Sequence, residues 1–180
     1  MSNPAKPGLE IERKFLLGAA PSKAFLAKFK KVRTAYLLQL YLRAEGGGGK
    51  ARVRRVIEGS STRYFHTVKR SLGDLVREEF EREIDKAEFD RLCLDADPER
   101  GPIRKIRISF PYIGHTMEVD IFEQPRPGLV LLEVELARPD EPLSLPLGLG
   151  IAREVSTDPA YFNATIAREA VVVQTTKDRR

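Results

Sequence analysis

The sequence predicts an α+β fold: a closed antiparallel β-barrel, or tunnel, with a charged lumen and helices packed outside. Six short stretches each carry two ionisable side chains separated by one residue, and such residues point to the same face of a β-strand. The residues between them are mostly apolar, for example Ile11, Val53 and Phe80. If such a sheet curls so that its charged faces oppose each other, helices can cover the apolar outside.

The charges are sorted by strand into acidic and basic pairs. A charged face can also be the solvated side of an ordinary sheet, and any one strand is compatible with that interpretation. An ordinary solvated face does not require charges of one sign on each of six strands. The six pairs together therefore favour a charged lumen. The pairs are Glu10 and Glu12, Arg52 and Arg54, Glu79 and Glu81, Lys105 and Arg107, Glu118 and Asp120, and Glu133 and Glu135.

Apolar periodicity predicts five strands and one helix in the first half of the chain. In the second strand, Leu38, Leu40 and Leu42 form the apolar face, with Gln39 and Tyr41 opposite. The predicted strands cover 9–17, 36–43, 51–57, 62–70 and 75–84, a helix runs from Pro21-Ser22 to Val32, a glycine-rich loop covers Gly46 to Gly49, and a hairpin connection covers Ser71 to Asp74.

The second half of the chain is predicted to contain two helices separated by strands. Asp85 and Glu88 form a capping-box pattern that starts a helix ending near Leu94. Asp158-Pro159 is a strong helix start, because aspartate caps a helix and proline is tolerated in its first turn. Between these helices, strands are predicted at 103–110, 115–123, 129–137 and 153–156.

The length of 180 residues predicts one domain, because it suffices for one substantial core and is short for two. We expect a flexible N-terminal lead at 1–8, the folded domain at 9–173 and a flexible basic tail at 174–180. The sequence shows neither an apolar run of membrane-spanning length nor the apolar core of a signal peptide, which predicts a cytoplasmic protein with no membrane partner. The net charge of +5 favours anionic partners.

The charged pairs supply two kinds of ligand. Carboxylate oxygens suit a hard divalent ion such as Mg²⁺ or Mn²⁺, and lysine and arginine suit phosphoryl oxygens. Two like charges about 4 Å apart repel by about 4 kcal/mol at an intermediate dielectric, so crowded cations favour a polyanionic ligand; a salt-bridge network without a ligand is the alternative. The candidate metal ligands are Glu10, Glu12, Asp120, Glu133 and Glu135, and the candidate phosphate-binding residues are Lys14, Arg52, Arg54, Lys69, Lys105 and Arg107.

Taken in their order along the chain, the charged strand motifs resemble those of the CYTH-domain proteins of the triphosphate tunnel metalloenzyme superfamily, in their short bacterial form. The first strand matches the family's Glu-x-Glu-x-Lys signature at Glu10, Glu12 and Lys14, and the resemblance spans about residues 9–167. It implies an eight-stranded antiparallel tunnel that binds a triphosphate and cleaves it with a divalent metal. The other matching motifs are Leu40-Tyr41-Leu42, Arg52-Val53-Arg54, Thr67-Val68-Lys69, Arg77 to Glu81, Lys105-Ile106-Arg107, Glu118-Val119-Asp120, Leu132 to Leu136, Glu154-Val155-Ser156 and Tyr161-Phe162-Asn163.

The resemblance also implies roles for residues. The paired glutamates of the first and eighth strands fall on metal-binding positions, and the six cations fall on phosphate-binding positions. Tyr41 falls on a tyrosine proposed as a proton acceptor, and Lys14, among cations that favour its neutral form, is the other candidate. The sequence has Leu40 where the family has Gly and Leu147-Gly148 where it has Trp-Gly, and both changes concern the shape of the substrate. The supporting residues are Glu79, Glu81 and Arg153, the last near the tunnel mouth.

The leading hypothesis is metal-dependent hydrolysis of a triphosphate, with inorganic tripolyphosphate cleaved to pyrophosphate and phosphate. Class IV adenylyl cyclases resemble the same tunnel, so cyclisation of ATP is an alternative, as is hydrolysis of thiamine triphosphate. A non-enzymatic polyphosphate-binding module is a third, although it has no evident use for four paired glutamates. The expected partner is therefore a small molecule that contains a triphosphate.

Nucleic acid is a less favoured partner than a small triphosphate. The chain has no Trp, and many of its five Tyr and nine Phe occupy apparent core positions, whereas RNA binding favours exposed aromatic residues on a basic face. The sequence leaves the oligomeric state open, with a homodimer as one option.

Overall fold

The structure, a computed structural model, describes residues 8–43, 50–73 and 76–177. Antiparallel strands dominate it, and helices occupy three short segments. The elements are β1 (Gly8–Leu17), α1 (Lys23–Leu26), β2 (Arg33–Tyr41), β3 (Lys50–Glu58), β4 (Ser61–Ser71), β5 (Val76–Ile84), α2 (Lys86–Cys93), β6 (Ile103–Tyr112), β7 (His115–Gln124), β8 (Val130–Glu135), β9 (Ile151–Glu154) and, after a 3-10 turn at Pro159–Tyr161, α3 (Asn163–Lys177).

Eight of these strands form a closed ring. Their order is β5-β4-β3-β2-β6-β7-β8-β1, and β1 pairs with β5 as well as with β8, which closes the barrel. The β1–β5 register opposes Glu10 to Arg77, and the β1–β8 register opposes Glu12 to Glu135. The short β9 adds to β1 beyond the point where β5 ends. The predicted eight-stranded antiparallel barrel is therefore confirmed.

Alternation along the strands separates a charged inside from an apolar outside, as predicted. On the outside, α1 covers β6, with the rings of Phe25 and Phe110 centred 6.0 Å apart. The second helix, α2, covers β4 in the same way, with the rings of Phe89 and Tyr64 centred 4.8 Å apart. Burial of these apolar faces is what holds the helices against the barrel, because helices this short have little stability of their own.

Part of the barrel interior is apolar. Ile103, Phe122 and Leu131 face inward from β6, β7 and β8, and all three are at most 1% exposed. They pack with Tyr41 of β2 and with Ile166 of α3 in one cluster. The charged lumen therefore occupies only part of the barrel, and a packed apolar plug, defined by these five residues, fills the rest.

The first helix is shorter than the sequence predicts. Ser22 caps it by accepting a hydrogen bond from the Phe25 amide at 3.1 Å, but α1 ends at Leu26 rather than near Val32. Lysines 28 and 31 would repel one another one turn apart in a longer helix. The chain instead continues into β2. This strand begins at Arg33, which pairs with Ser109 of β6.

Other sequence predictions concern where the last helix, the loops and the terminal segments begin and end. Asp158 caps the turn at Pro159 as predicted, but the turn is a 3-10 turn and α3 begins only at Asn163. The backbone of α3 continues to Lys177, within the predicted tail at 174–180. Residues 1–7 of the predicted lead, the Gly46 to Gly49 loop, Asp74 of the predicted hairpin connection and residues 178–180 lie outside the described residues. None of the described helices is long and apolar enough to span a membrane.

Gly101, in the segment that leads into β6, packs directly against α3. Its amide donates a hydrogen bond to the Ala167 carbonyl at 2.8 Å, and a Cβ atom at position 101 would lie 2.3 Å from the Ala170 Cβ. We expect Gly101→Ala to lower the free energy of unfolding by about 1–3 kcal/mol, because α3 must move away. Urea unfolding followed by circular dichroism measures this change.

Two variants make the Gly101 test specific. Gly73→Ala is the matched control, because no atom lies within 4 Å of its added Cβ. Adding Ala170→Gly to Gly101→Ala removes the clash and should restore part of the lost stability. Equal stability of Gly101→Ala and the unsubstituted protein would contradict the close approach of α3.

Candidate active site

The charged lumen contains a cavity of about 860 Å³. All the predicted site residues line this cavity except Asp120, which is fully buried behind its wall, and Arg153. Arg153 lies on β9, where its guanidinium donates to Asp158 and to the Tyr161 hydroxyl, both at 3.2 Å. The cavity-lining predicted residues are Glu10, Glu12, Lys14, Tyr41, Arg52, Arg54, Lys69, Glu79, Glu81, Lys105, Arg107, Glu133 and Glu135.

Glutamates of β1 and β8 form an acidic wall. Glu10 is 7% exposed; its Oε1 accepts a hydrogen bond from Lys69, and its buried Oε2 has no hydrogen-bond partner among the described residues. Burial and then the surrounding carboxylates, Glu118 first among them, raise the pKa of Glu135. An acidic wall with an unused buried oxygen has the donor chemistry that Mg²⁺ or Mn²⁺ prefers.

The same glutamates are held by cations in this structure. Within the described ranges, no three His, Cys, Asp or Glu side chains are grouped closely enough to hold a metal ion as they stand. Lys14 Nζ lies 3.1 Å from Glu12 Oε1 and 2.8 Å from Glu133 Oε1. A divalent ion at this wall would therefore have to replace ammonium groups as the partner of the carboxylates.

Lys14 has acidic neighbours, contrary to the expectation that cations favour its neutral form. Burial alone would lower the pKa of Lys14, but Glu12 and Glu133 raise it above the ordinary lysine value. Tyr41 is also buried; burial raises the pKa of its hydroxyl, and Arg52 and Lys14 oppose that effect. Both groups therefore carry their protons at neutral pH in this arrangement.

Asp120 organises the basic wall from behind. Arg107 donates to its two carboxylate oxygens from Nε and Nη2, each at 2.7 Å, and Lys105 donates to it as well. Arg107 also reaches Glu133 Oε2 at 2.7 Å. Because Asp120 is 0% exposed and does not line the cavity, its position fits an anchor for two cations better than the predicted metal ligand.

Arg52 and Arg54 of β3 bind neighbouring side chains through their Nη atoms, and their Nε–H groups remain available as donors. Arg54 Nη2 donates to Glu81 Oε2 at 3.1 Å, and the Thr67 hydroxyl donates to the same oxygen at 2.7 Å. Arg52 Nη1 donates to Gln39 Oε1 at 3.2 Å, and its Nη2 lies 3.6 Å from Glu79 Oε1. The Nε atoms of both arginines are buried without a hydrogen-bond partner among the described residues, which leaves donors for an anion.

Three residues of this site carry no functional role in the sequence-based assignment. Gln39 is 1% exposed and supports Arg52 without neutralising its charge, and Thr67 supports Glu81. Glu118 contacts Arg107, and burial raises its pKa. The available signal was their phase, because each lies two positions from a predicted site residue on the same strand: Gln39 from Tyr41, Thr67 from Lys69 and Glu118 from Asp120.

No protein-family model matches the chain, but individual relatives do. The chain is 34% identical over 161 residues to an inorganic triphosphatase of Acetivibrio thermocellus, which covers 89% of this chain and 94% of that protein. It is 31% identical over 159 residues to an inorganic triphosphatase of Nitrosomonas europaea, with coverages of 88% and 96%. The chain belongs to the inorganic triphosphatase family.

Solved structures agree with this membership. A crystal structure of an inorganic triphosphatase superimposes on this family member with a TM-score of 0.57 at 28% identity, covering 88% of this chain and 97% of that chain. A Hippeastrum adenylyl cyclase candidate with a dominant triphosphatase activity gives a TM-score of 0.52 at 19% identity, covering 72% and 80%, and shows likeness of fold alone. The resemblance to the short bacterial CYTH-domain proteins is confirmed.

Neutralising Asp120 should strongly destabilise this triphosphatase-family protein, because Asp120 pairs with two buried cations. Asp120→Asn leaves Lys105 and Arg107 buried with one carboxylate fewer, so we expect the free energy of unfolding to fall by about 3–5 kcal/mol. Equilibrium urea unfolding at neutral pH measures the change. A loss below about 1 kcal/mol would contradict the anchoring role.

Two further variants separate this effect from general charge loss. Glu118→Gln is the matched control, because the Glu118 side chain is 29% exposed and Arg107 retains two other carboxylates. Its expected cost is below about 1 kcal/mol. Adding Lys105→Met to Asp120→Asn removes one uncompensated cation and should recover part of the loss.

Proposed function

We propose that this protein hydrolyses inorganic tripolyphosphate to pyrophosphate and phosphate with the help of Mg²⁺ or Mn²⁺. The observation that carries the proposal is the pairing of an acidic wall with a basic wall across one cavity. The names of the curated relatives support the reaction class. The lumen supports an elongated polyanion as the substrate, because its cations are spread along several strands rather than clustered at one point.

The charge balance of the lumen supports a metal requirement. A bare polyanion meets more negative than positive groups, so a divalent ion that accompanies it makes binding favourable. Glu10, Glu12, Glu133 and Glu135 are the residues proposed to hold that ion, which when bound supplies Lewis-acid polarisation of phosphoryl oxygens. Among the described residues, the central lumen is lined by seven carboxylates, Glu10, Glu12, Glu79, Glu81, Glu118, Glu133 and Glu135, and by six cations, Lys14, Arg52, Arg54, Lys69, Lys105 and Arg107.

The side chains of the basic wall account for most of the proposed catalysis. Transfer of a phosphoryl group to water depends chiefly on positioning and on stabilising charge at the phosphoryl oxygens. Arg52 and Arg54 offer buried Nε donors for this, and Lys105 lies 2% exposed in the same lumen. Lys14 and Tyr41 remain the proposed proton acceptors. Both carry their protons in the metal-free arrangement, but a metal ion held by Glu12 and Glu133 would remove the two contacts that raise the pKa of Lys14.

Phosphate release tests this proposal directly. Orthophosphate is measured with tripolyphosphate in Mg²⁺, in Mn²⁺ and in chelator, with ATP and thiamine triphosphate in parallel. Metal-dependent release that favours tripolyphosphate is the expected result. Cyclic AMP with pyrophosphate from ATP would indicate a cyclase instead, and tight binding of tripolyphosphate without turnover under either ion would indicate a binding module.

Glu133→Gln tests the acidic wall. Because Glu133 contacts Lys14 and Arg107 and is proposed to hold the metal, we expect kcat to fall roughly 100-fold and the apparent metal affinity to weaken. Steady-state kinetics over a metal titration measure both. The matched control is Glu78→Gln, which removes a carboxylate from the outer face of β5 beside Arg70 and should leave kcat unchanged. Unchanged metal-dependent turnover in Glu133→Gln would exclude this assignment.

Gln39 is expected to position Arg52 while preserving its charge. The amide oxygen faces the guanidinium, which has only donors to offer. Gln39→Glu should neutralise Arg52 and raise KM for tripolyphosphate roughly tenfold, whereas Gln39→Met should raise KM less because the charge remains. Measuring KM and kcat at several pH values checks this, since protonation of the new carboxyl at low pH should restore KM. Equal KM values for the two variants would contradict the charge argument.

A further inference from the structure

Thr67 is a buried hydroxyl residue in the middle of the charged part of β4. It is 0% exposed and, unlike the charged residues around it, does not line the cavity. In the register of the sheet it opposes Arg52 of β3 on one side and Glu81 of β5 on the other. Because neighbouring strands lie roughly 4.8 Å apart, Thr67 stands between a cation and a carboxylate that share one row across the sheet.

The ion pairs of this wall do not follow the rows of the register. Arg54 Nη2 donates to Glu81 Oε1 at 3.2 Å and to Oε2 at 3.1 Å, although Arg54 lies one inward position further along β3 than the row of Glu81. Arg52 Nη2 lies 3.6 Å from Glu79 Oε1, which is shifted in the same direction. Each β5 carboxylate is therefore paired diagonally, and something must hold it away from the arginine in its own row.

The Thr67 hydroxyl provides that restraint. It donates to Glu81 Oε2 at 2.7 Å, the same oxygen that accepts from Arg54. Burial raises the pKa of Glu81, but the charge of Arg54, the Thr67 hydrogen bond and then the charges of Arg52 and Lys69 lower it below the ordinary value. Arg52 and Lys69 therefore also attract this carboxylate, and the directional hydrogen bond favours its place beside Arg54.

Glu81 has several cations within reach, so charge alone does not choose its partner. In the described part of the lumen, cations outnumber carboxylates around it, and each attracts the carboxylate over a similar range. The charged side chains that face this region are Glu10 of β1, Arg52 and Arg54 of β3, Arg63 and Lys69 of β4, Glu79 of β5, Arg107 of β6 and Glu118 of β7.

The diagonal pairing leaves the two arginines of β3 with different surroundings. Arg54 is held by a carboxylate, and its Nε has no hydrogen-bond partner among the described residues. Arg52 has the neutral amide of Gln39 at 3.2 Å and only the long contact to Glu79. If Glu81 moved to Arg52, Arg54 would lose its partner beside two other guanidinium groups, and the charge of Arg52 would be neutralised.

We propose that Thr67 is a positioning residue, whose hydroxyl holds Glu81 on Arg54 and so keeps Arg52 available to the substrate. This inference rests on the proposed function, in that the two arginines bind phosphoryl oxygens of the triphosphate. Thr67 itself touches no substrate, because it lies behind the cavity wall. It acts through the carboxylate, as a choice between two ion-pair arrangements of the same wall.

Thr67→Val removes the hydroxyl and keeps the shape of the side chain. We expect KM for tripolyphosphate to rise about tenfold, since a hydrogen bond to a charged group is lost, and kcat to change less than about threefold. The acid limb of the kcat/KM pH profile should move to higher pH, because Glu81 without this hydrogen bond is protonated at a higher pH. Thr67→Ser keeps the hydroxyl and should retain both KM, within about threefold, and the position of the limb.

Thr62→Val is the matched control. It makes the same chemical change at an exposed position on the outer face of the same strand, and should leave KM, kcat and the pH profile unchanged. Equal KM values for Thr67→Val and Thr67→Ser would overturn the proposal, because packing rather than the hydroxyl would then matter. So would an acid limb that stays in place in Thr67→Val.

A double-mutant cycle tests whether Thr67 acts through Glu81. Glu81→Gln alone should raise KM about as much as Thr67→Val, and adding Thr67→Val to it should change KM less than about twofold. A further tenfold rise in the double variant would overturn the proposal, since Thr67 would then act by another route. An unchanged KM in Glu81→Gln would also overturn it, and this variant is informative even if Thr67→Val does not fold.

Failure of the proposed function gives a different result. If the unsubstituted protein releases no phosphate from tripolyphosphate, nitrogen-15 NMR of the arginine Nε–H groups in the substrate-free protein replaces the kinetic assay. Displaced Arg52 and Arg54 signals in Thr67→Val, with unchanged signals in Thr67→Ser and Thr62→Val, would support the positioning role without reference to catalysis. Unchanged signals of both arginines in Thr67→Val would overturn it.

Discussion

The interior of this barrel depends on a continuous series of buried ion pairs. Asp120 holds Lys105 and Arg107, Arg107 reaches Glu133, and Glu133 holds Lys14. Removing each ion from water costs several kcal/mol, so a charged lumen is tolerated only where every ion has a partner. Apart from Asp120, these ions are also the proposed ligands of metal and phosphate, so most residues that stabilise the barrel are also residues proposed to serve its function.

The charged lumen ends where the inward-facing residues of the strands change from charged to apolar. In β6 the inward positions change from Lys105 to Ile103, and in β7 from Asp120 to Phe122, so each strand contributes to both lumen and plug. The Lys105 ammonium lies 5.3 Å from the centre of the Phe122 ring, at the boundary between them. Burial against this plug lowers the pKa of Lys105, and Asp120 opposes that effect. The plug therefore excludes water from one side of the charges and makes their pairing more important.

The sequence predicts the strands and the inward face well, because both follow from a local period of two. Depth in the lumen is not local: Glu118 and Asp120 have the same phase, yet only Glu118 lines the cavity and Asp120 lies behind Arg107. The neighbours of Lys14 depend on the β1–β8 register, which brings Glu133 opposite to it. The shortness of α1 likewise follows from the pairing of Arg33 with Ser109, a contact across 76 positions of sequence.

The ion pairs of the lumen also determine how a ligand can enter it. Glutamates that bound a divalent ion would release their lysines and arginines, and those cations would then require an anion. A metal ion and a triphosphate that entered together could exchange partners with the existing pairs, so no charge would be left buried and alone. Either ligand entering by itself would leave one wall uncompensated. Binding of metal and polyanion is therefore expected to be coupled, each raising the affinity for the other, through the ion pairs that hold the empty barrel together.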